Sequence, residues 1–346
     1  MNRLEQRYRA ALRLLPTAYR RQWEDDMVAA FLASMHDDDP ERAEYLADFG
    51  RPSWSEVASV AGLAARLHLG LIGAPSPRTE ARSDMVRIVV LLWLLWGAVS
   101  AIVAAGLELW LQSGLRFLPA PPAEWSSAVA PAGLWSVGLR LSGLAWLVAF
   151  VAVLFGRPAL TRTAAVVGVA NSAFGVAGAL VAELARNLPA VSVTMLATFA
   201  VDLALSAVLW TLAKRWPRVR PTGWLLALLL GTAVVTGLTV GGIAGAVPWW
   251  AVDPVTITAA AVVAVAIVRL VTGASPAWSL ALTVLAWAML VVRLLTLVDV
   301  AETYAWMGPV PMVFAVAEAL ALSVVAVPIT VVAMRSHSRL PSSRLG

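Results

Sequence analysis

About eight apolar stretches, each close to 20 residues long, follow one another from Val86 to Met334, and they restrict the fold more than any other property of the sequence. They run near 86–111, 134–155, 163–185, 193–213, 223–247, 255–271, 277–297 and 310–334. Crossing about 30 Å of hydrocarbon takes roughly 20 residues of helix. Inside that layer each backbone N–H and C=O must be paired within its own segment, so each stretch is expected to be a helix. Composition agrees, with 60% hydrophobic and 14% charged residues, where soluble domains carry about 45–50% and 25%. The expected fold is all-α: a polytopic membrane bundle of about eight transmembrane helices over 86–334. A small cytosolic helical module (1–73) and a polar, Pro-containing linker (74–85) precede it, and a basic tail (335–346) follows.

Arginine asymmetry sets the expected orientation. Arg157, Arg162, Lys214, Arg215, Arg218, Arg220, Arg269, Arg335, Arg339 and Arg344 fall on one side, against Arg116, Glu124, Arg186, Asp253, Asp299 and Glu302 on the other. The first side is expected to be cytoplasmic, which puts both termini in the cytosol of a cell with a cytoplasmic membrane. Tryptophans such as Trp110, Trp216, Trp224 and Trp278 sit near segment ends, as an interfacial belt requires. No basic run leads into a short apolar core at the N-terminus, so the first span is expected to act as an uncleaved anchor. The net charge of +5 therefore reads as topology. The expected partner is the lipid bilayer, with no nucleic acid. Zero cysteines exclude disulfides and thiolate chemistry, and the three histidines, His36, His68 and His337, lie outside the apolar stretches.

Charges inside the stretches are the candidates for function. In 193–213 some nine Leu, Val and Phe side chains each favour insertion by roughly 0.3 to 0.6 kcal/mol, whereas one central Asp costs about 2.5 to 3.5. Asp202 cancels much of that drive and is expected to face a partner or a wet cavity. At 1.5 Å per residue, Arg140 lies about 9 Å in from the outer end of its helix, Asp202 about 13 Å, Arg293 about 6 to 9 Å and Glu318 about 12 Å. Their common depth predicts one polar site in the outer half that binds an ion. The plainer alternative is that the two arginines pair with the two carboxylates to fix helix packing. Asn171 and Ser172 form a polar pair expected to line a pathway or bond a neighbouring helix. Gly237, Gly241 and Gly245 make a small-residue stripe expected to admit a close helix neighbour. Phe199-Ala-Val-Asp202 is similar to Phe314-Ala-Val-Ala-Glu318, one residue out of step, the pattern a four-plus-four duplication would leave. No phosphate-binding loop, H-E-x-x-H or G-x-S-x-G motif is present. An enzyme is not expected, and neither is a catalytic residue, a metal site or a cofactor.

The N-terminal module is read from helical stripes: Leu4, Tyr8, Ala11, Leu12 and Leu15, then Tyr19, Trp23, Met27, Ala30 and Phe31. Asp39 and Pro40 are expected to open a short helix, and Ser53-Trp-Ser-Glu56 is a capping box opening another. The run from Tyr8 through Leu12-Arg13, Pro16, Tyr19-Arg20-Arg21, Trp23-Glu24 and Met27 to Phe31, with Gly50-Arg-Pro-Ser-Trp54-Ser-Glu56 and the helix to Leu67, resembles the cytosolic prefix of some bacterial permeases and of uncharacterised actinobacterial multi-pass proteins. The resemblance covers about the first 70 residues and implies a membrane protein associated with transport. The chain departs from the better-known permeases in having only a short Pro-rich loop, 112–133, between its first two spans. Two functional expectations follow. One is a transport-associated, permease-like protein with a polar site around Arg140, Asp202, Arg293 and Glu318. The other is a non-transporting regulator or scaffold whose residues 1–73 dock a cytosolic protein.

Overall fold

A computed structural model describes residues 3–35, 49–68, 77–113, 142–186, 193–212, 216, 219–248, 252–273, 275–303 and 308–340. All regular structure among them is helical. The chain divides into two compact units, Met1–Val86 with His337–Gly346, and Arg87–Ser336.

In the first unit α1 (Arg3–Leu12), α2 (Thr17–Ser34) and α3 (Trp54–His68) share one small core. Leu4, Tyr8, Leu12 and Leu15 meet Val28 and Phe31 of α2 and Val60 and Ala64 of α3. The Tyr8 and Phe31 rings stack with centroids 4.0 Å apart. Pro16 stands ahead of α2, as expected. The capping box is present: Ser53 Oγ accepts from Glu56 N at 3.2 Å, and Glu56 Oε2 accepts from Ser53 N at 3.0 Å. Trp23 departs from expectation. Val28 takes the buried position of its stripe, and Trp23 is exposed. The expected helix at Asp39 and Pro40 lies outside the described residues.

Residues 77–85, expected to be linker, instead form the first turns of α4 (Pro77–Ser113). Proline is compatible with the first helical turn, where its missing N–H is not needed, and the residues after it carry no further breaker. Arg78 holds this start in place by donating to the carbonyls of Leu340 at 2.8 Å and Ser338 at 3.2 Å.

The second unit contains the spans. Besides α4, it comprises α5 (Ala145–Leu154), α6 (Pro158–Arg186), α7 (Val193–Leu212), α8 (Pro221–Ile243), α9 (Pro254–Thr272), α10 (Pro276–Leu295), the short α11 (Leu297–Thr303) and α12 (Val310–Ser338). Seven of the described helices are long and apolar enough to cross a membrane. The apolar α5 occupies the end of the expected second stretch, whose earlier part lies outside the described residues. Leu229 is 68% exposed and Val271 82%. Aliphatic surface presented outward in this way is suited to lipid, so this is a multi-pass membrane protein. Asp253-Pro254 and Ser275-Pro276 open α9 and α10 as side-chain cap followed by proline.

Helices α9, α10 and α12 pack in successive apolar layers. Ala259, Leu290, Ala319 and Leu322 form one layer, Val262, Ala286 and Ala326 the next, and Ala266, Leu282 and Ile329 the third. The alanines bring the backbones close, which is how helices gain dispersion contact when lipid supplies no hydrophobic drive. In the same unit α5 packs on α6, α6 on α7, and α7 meets α10.

Candidate functional site

Asp202 sits near the middle of α7, on an inward stripe that continues through Ser206 to Leu209 and Leu212. It is 7% exposed. Two neutral donors reach it from other helices. Trp93 Nε1 of α4 donates to Oδ1 at 3.0 Å, and Ser172 Oγ of α6 donates to Oδ2 at 2.6 Å. No cation pairs with it among the described residues; the intramembrane ion pairs described belong to Arg293.

Packing positions both donors. The Trp93 ring meets Trp146 of α5 edge-on, with centroids 4.6 Å apart and planes at 69°. Trp146 fills a slot between two glycines: a Cβ on Gly168 of α6 would fall 2.6 Å from Trp146 Cε2, and one on Gly97 of α4 would fall 3.1 Å from Trp146 Cβ. Glycine therefore lets α4 and α6 close on the indole that supports Trp93. Ser172 stands one turn beyond Gly168 and also reaches its carbonyl, at 3.3 Å. The neighbouring Asn171 accepts from Ser142 Oγ at 2.6 Å, a packing bond that links α6 to the residues leading into α5.

The second polar cluster surrounds Arg293 in the last turn of α10, 2% exposed. Its guanidinium pairs with Glu318 of α12, with Asp253 at 3.5 Å and with Thr256 Oγ1 at 3.2 Å. The threonine hydroxyl in turn donates to Glu318 Oε2 at 3.3 Å. Asp253 also caps α9, accepting from Thr256 N at 3.3 Å. Burial pushes the Asp253 carboxyl up from its ordinary range, while the guanidinium and the N–H groups of Thr256 and Val255 pull it part of the way back. The cluster stands about one turn from the Ala259, Leu290 and Ala319 layer, so it closes the apolar stack with a bonded polar lid.

The single site expected from shared depth is thus two sets of partners with no member in common. Arg293 and Glu318 come together as expected. Asp202 has separate partners on α4 and α6, and Arg140 lies outside the described residues. Depth along a helix says nothing of azimuth, so charges at one level can face different neighbours. The expected likeness of Asp202 and Glu318 also ends here, because one accepts from neutral donors and the other pairs with a guanidinium. The glycine stripe is a further correction. Nothing among the described residues lies within 4 Å of a Cβ placed on Gly237, and Gly245 falls beyond the end of α8 at φ +70°. Gly241 is crowded by Val247, at 2.9 Å, where the chain turns back on its own helix end. Gly241 and Gly245 serve a turn, and the close helix approaches among the described residues are at Gly97, Gly168 and Gly231, where a Cβ would fall 3.1 Å from Val99 Cγ2. Sequence reading missed Trp93 and used Asp253 only as a charge on the non-cytoplasmic side, although Asp253-Pro254-x-Thr256 is a helix-cap signal that would have drawn it inward. No family model, curated protein or solved structure matches the chain.

Proposed function

We propose that this multi-pass membrane protein is a proton-linked, transport-associated protein of the cytoplasmic membrane, with both termini in the cytosol and Asp202 carrying the proton. The observation that supports this is a mid-span carboxylate that, among the described residues, is held only by neutral donors. An intramembrane carboxylate that is not tied to a cation is expensive to keep for structure alone. Both of its protonation states find partners without any helix moving. When ionised, Asp202 accepts from Trp93 and Ser172. When protonated, its Oδ2 donates to Ser172 Oγ, and the serine hydroxyl turns to the Gly168 carbonyl 3.3 Å away. Trp93 donates to Oδ1 in both states. The Arg293 cluster has a different role: its charges are bonded to one another, and it fastens α9, α10 and α12. The prefix resemblance of the first 70 or so residues points to transport as well.

Infrared difference spectra of the purified protein in lipid, recorded across pH, test the reading. The expected result is a protonated-carboxyl stretch that titrates in the wild type and is missing from Asp202→Asn. A wild-type spectrum with no such band would reject it. Trp54, 89% exposed at the start of α3, favours a second reading in which residues 1–73 of a regulator or scaffold dock a cytosolic protein. A deletion phenotype copied by Trp54→Ala and not by Asp202→Asn would select that reading instead.

A further inference from the structure

Ser206 lies one turn along α7 from Asp202, on the same stripe, and its Oγ is buried with no hydrogen-bond partner among the described residues. Thr232 Oγ1 of α8 is likewise buried without a partner among the described residues, but only Ser206 stands one turn from an intramembrane carboxylate. Thr161, Ser172, Ser323 and Thr330 each reach the carbonyl four residues back, at 3.0, 3.3, 2.8 and 2.6 Å, the ordinary outlet for a hydroxyl inside a span. Ser206 does not reach the Asp202 carbonyl in this way. A buried hydroxyl left unbonded is costly, and a water is one of the partners that relieve such a group in native structures.

Asp202 offers the complementary half. A carboxylate has about four lone-pair positions, and Trp93 and Ser172 occupy two of them. Side chains four apart on a helix stand about 5–6 Å from one another, a gap that one water fills with two hydrogen bonds of about 2.8 Å. Beyond Ser206 the stripe is closed by Leu209 and Leu212, at 0% and 4% exposure, so the polar surface along this face of α7 ends at the serine. The site has room in its chemistry for a small species that both donates and accepts. An anion would be repelled by the carboxylate.

We propose that Ser206 and Asp202 together hold a water, and that the Asp202 proton exchanges through it, Ser206 acting as the positioning residue. In the exchange the carboxyl O–H bond breaks as the water oxygen takes the proton. The resulting hydronium returns a different proton to the carboxylate, leaving the same carboxylic acid and the same water. The inference rests on the proton-carrying reading of Asp202.

The test is the rate at which the Asp202 carboxyl band shifts after transfer of the lipid-embedded protein into deuterated buffer. In Ser206→Ala and Ser206→Val the band should remain, with exchange slowed at least about tenfold, the effect of removing roughly 1.4 kcal/mol of stabilisation from the exchange step. Ser206→Thr, which keeps the hydroxyl, should exchange at the wild-type rate. Wild-type exchange in both Ala and Val variants, with the band intact, would overturn the relay and leave the proton site standing. Absence of the band from the wild type would overturn both.

Discussion

Two carboxylates of similar depth, Asp202 and Glu318, differ in what touches them. Glu318 and Asp253 share the Arg293 guanidinium, and removing one partner from a buried ionic group leaves the others uncompensated at a cost of about 3–5 kcal/mol. Arg293→Met should therefore lower resistance to unfolding in detergent by about that amount. Adding Asp253→Asn and Glu318→Gln should restore most of it, because the unpaired charge goes with them. A single variant as stable as the wild type would show that the cluster does not fasten these helices. The candidate residues were legible because a charge inside an apolar run stands out in any hydropathy reading. Their partners were not. Trp93 is an ordinary tryptophan in an apolar helix, and nothing around it in the chain signals a bond to a residue 109 positions away.

At the next level, helices are brought together by small residues, and only contact geometry says which ones. Gly168 and Gly97 grip Trp146, whereas a Cβ on Gly237 would meet nothing among the described residues. Gly168→Ala must displace an indole rather than a flexible chain end, and overpacking of this kind costs about 1–3 kcal/mol. Thermal unfolding in detergent should fall accordingly, and the Trp93 bond to Asp202 should weaken with it, seen as a changed indole N–H band. Gly237→Ala should be neutral or stabilise by up to about 1 kcal/mol, since alanine is the better helix former and meets nothing there. Equal losses at both positions would contradict the slot. The regular spacing of Gly237, Gly241 and Gly245 suggested the opposite order, because spacing alone cannot distinguish a face that meets a helix from one that meets a turn. Helix ends are marked more locally. The capping box at Ser53 was read because a cap acts on its own neighbours; Asp253-Pro254 and Ser275-Pro276 carry the same local signal and were missed. Pro77 was misjudged for a related reason, since proline ends a helix from within but is compatible with its first turn.

For the molecule as a whole, the proposed orientation makes a direct prediction, and the absence of native cysteine makes it simple to check. Single cysteines at Ser55 and Ser343 should react with a membrane-impermeant maleimide only after the cells are opened, and one at Ser126 should react on intact cells. Reaction of Ser55→Cys from outside would reverse the topology. Hydropathy and segment length were sufficient to predict the all-helical, multi-pass bundle, because in hydrocarbon a helix satisfies its own backbone and needs no distant partner to exist. The chain changes near Val86 from amphipathic stripes to uniformly apolar runs, whereas the joining of His337–Gly346 to Met1–Val86 in one compact unit has no counterpart in the linear pattern. Which charges pair and which stand alone was decided by rotation and packing of the helices. Electrostatic and hydrogen-bonding energies depend on ångström separations between remote side chains, and a one-dimensional pattern records depth along each helix without recording the direction a side chain faces. Asp202 could be nominated from its own helix, but its neutral donors, and the hydroxyl of Ser206 left unbonded beside it, emerged only once α4, α6 and α7 were in place.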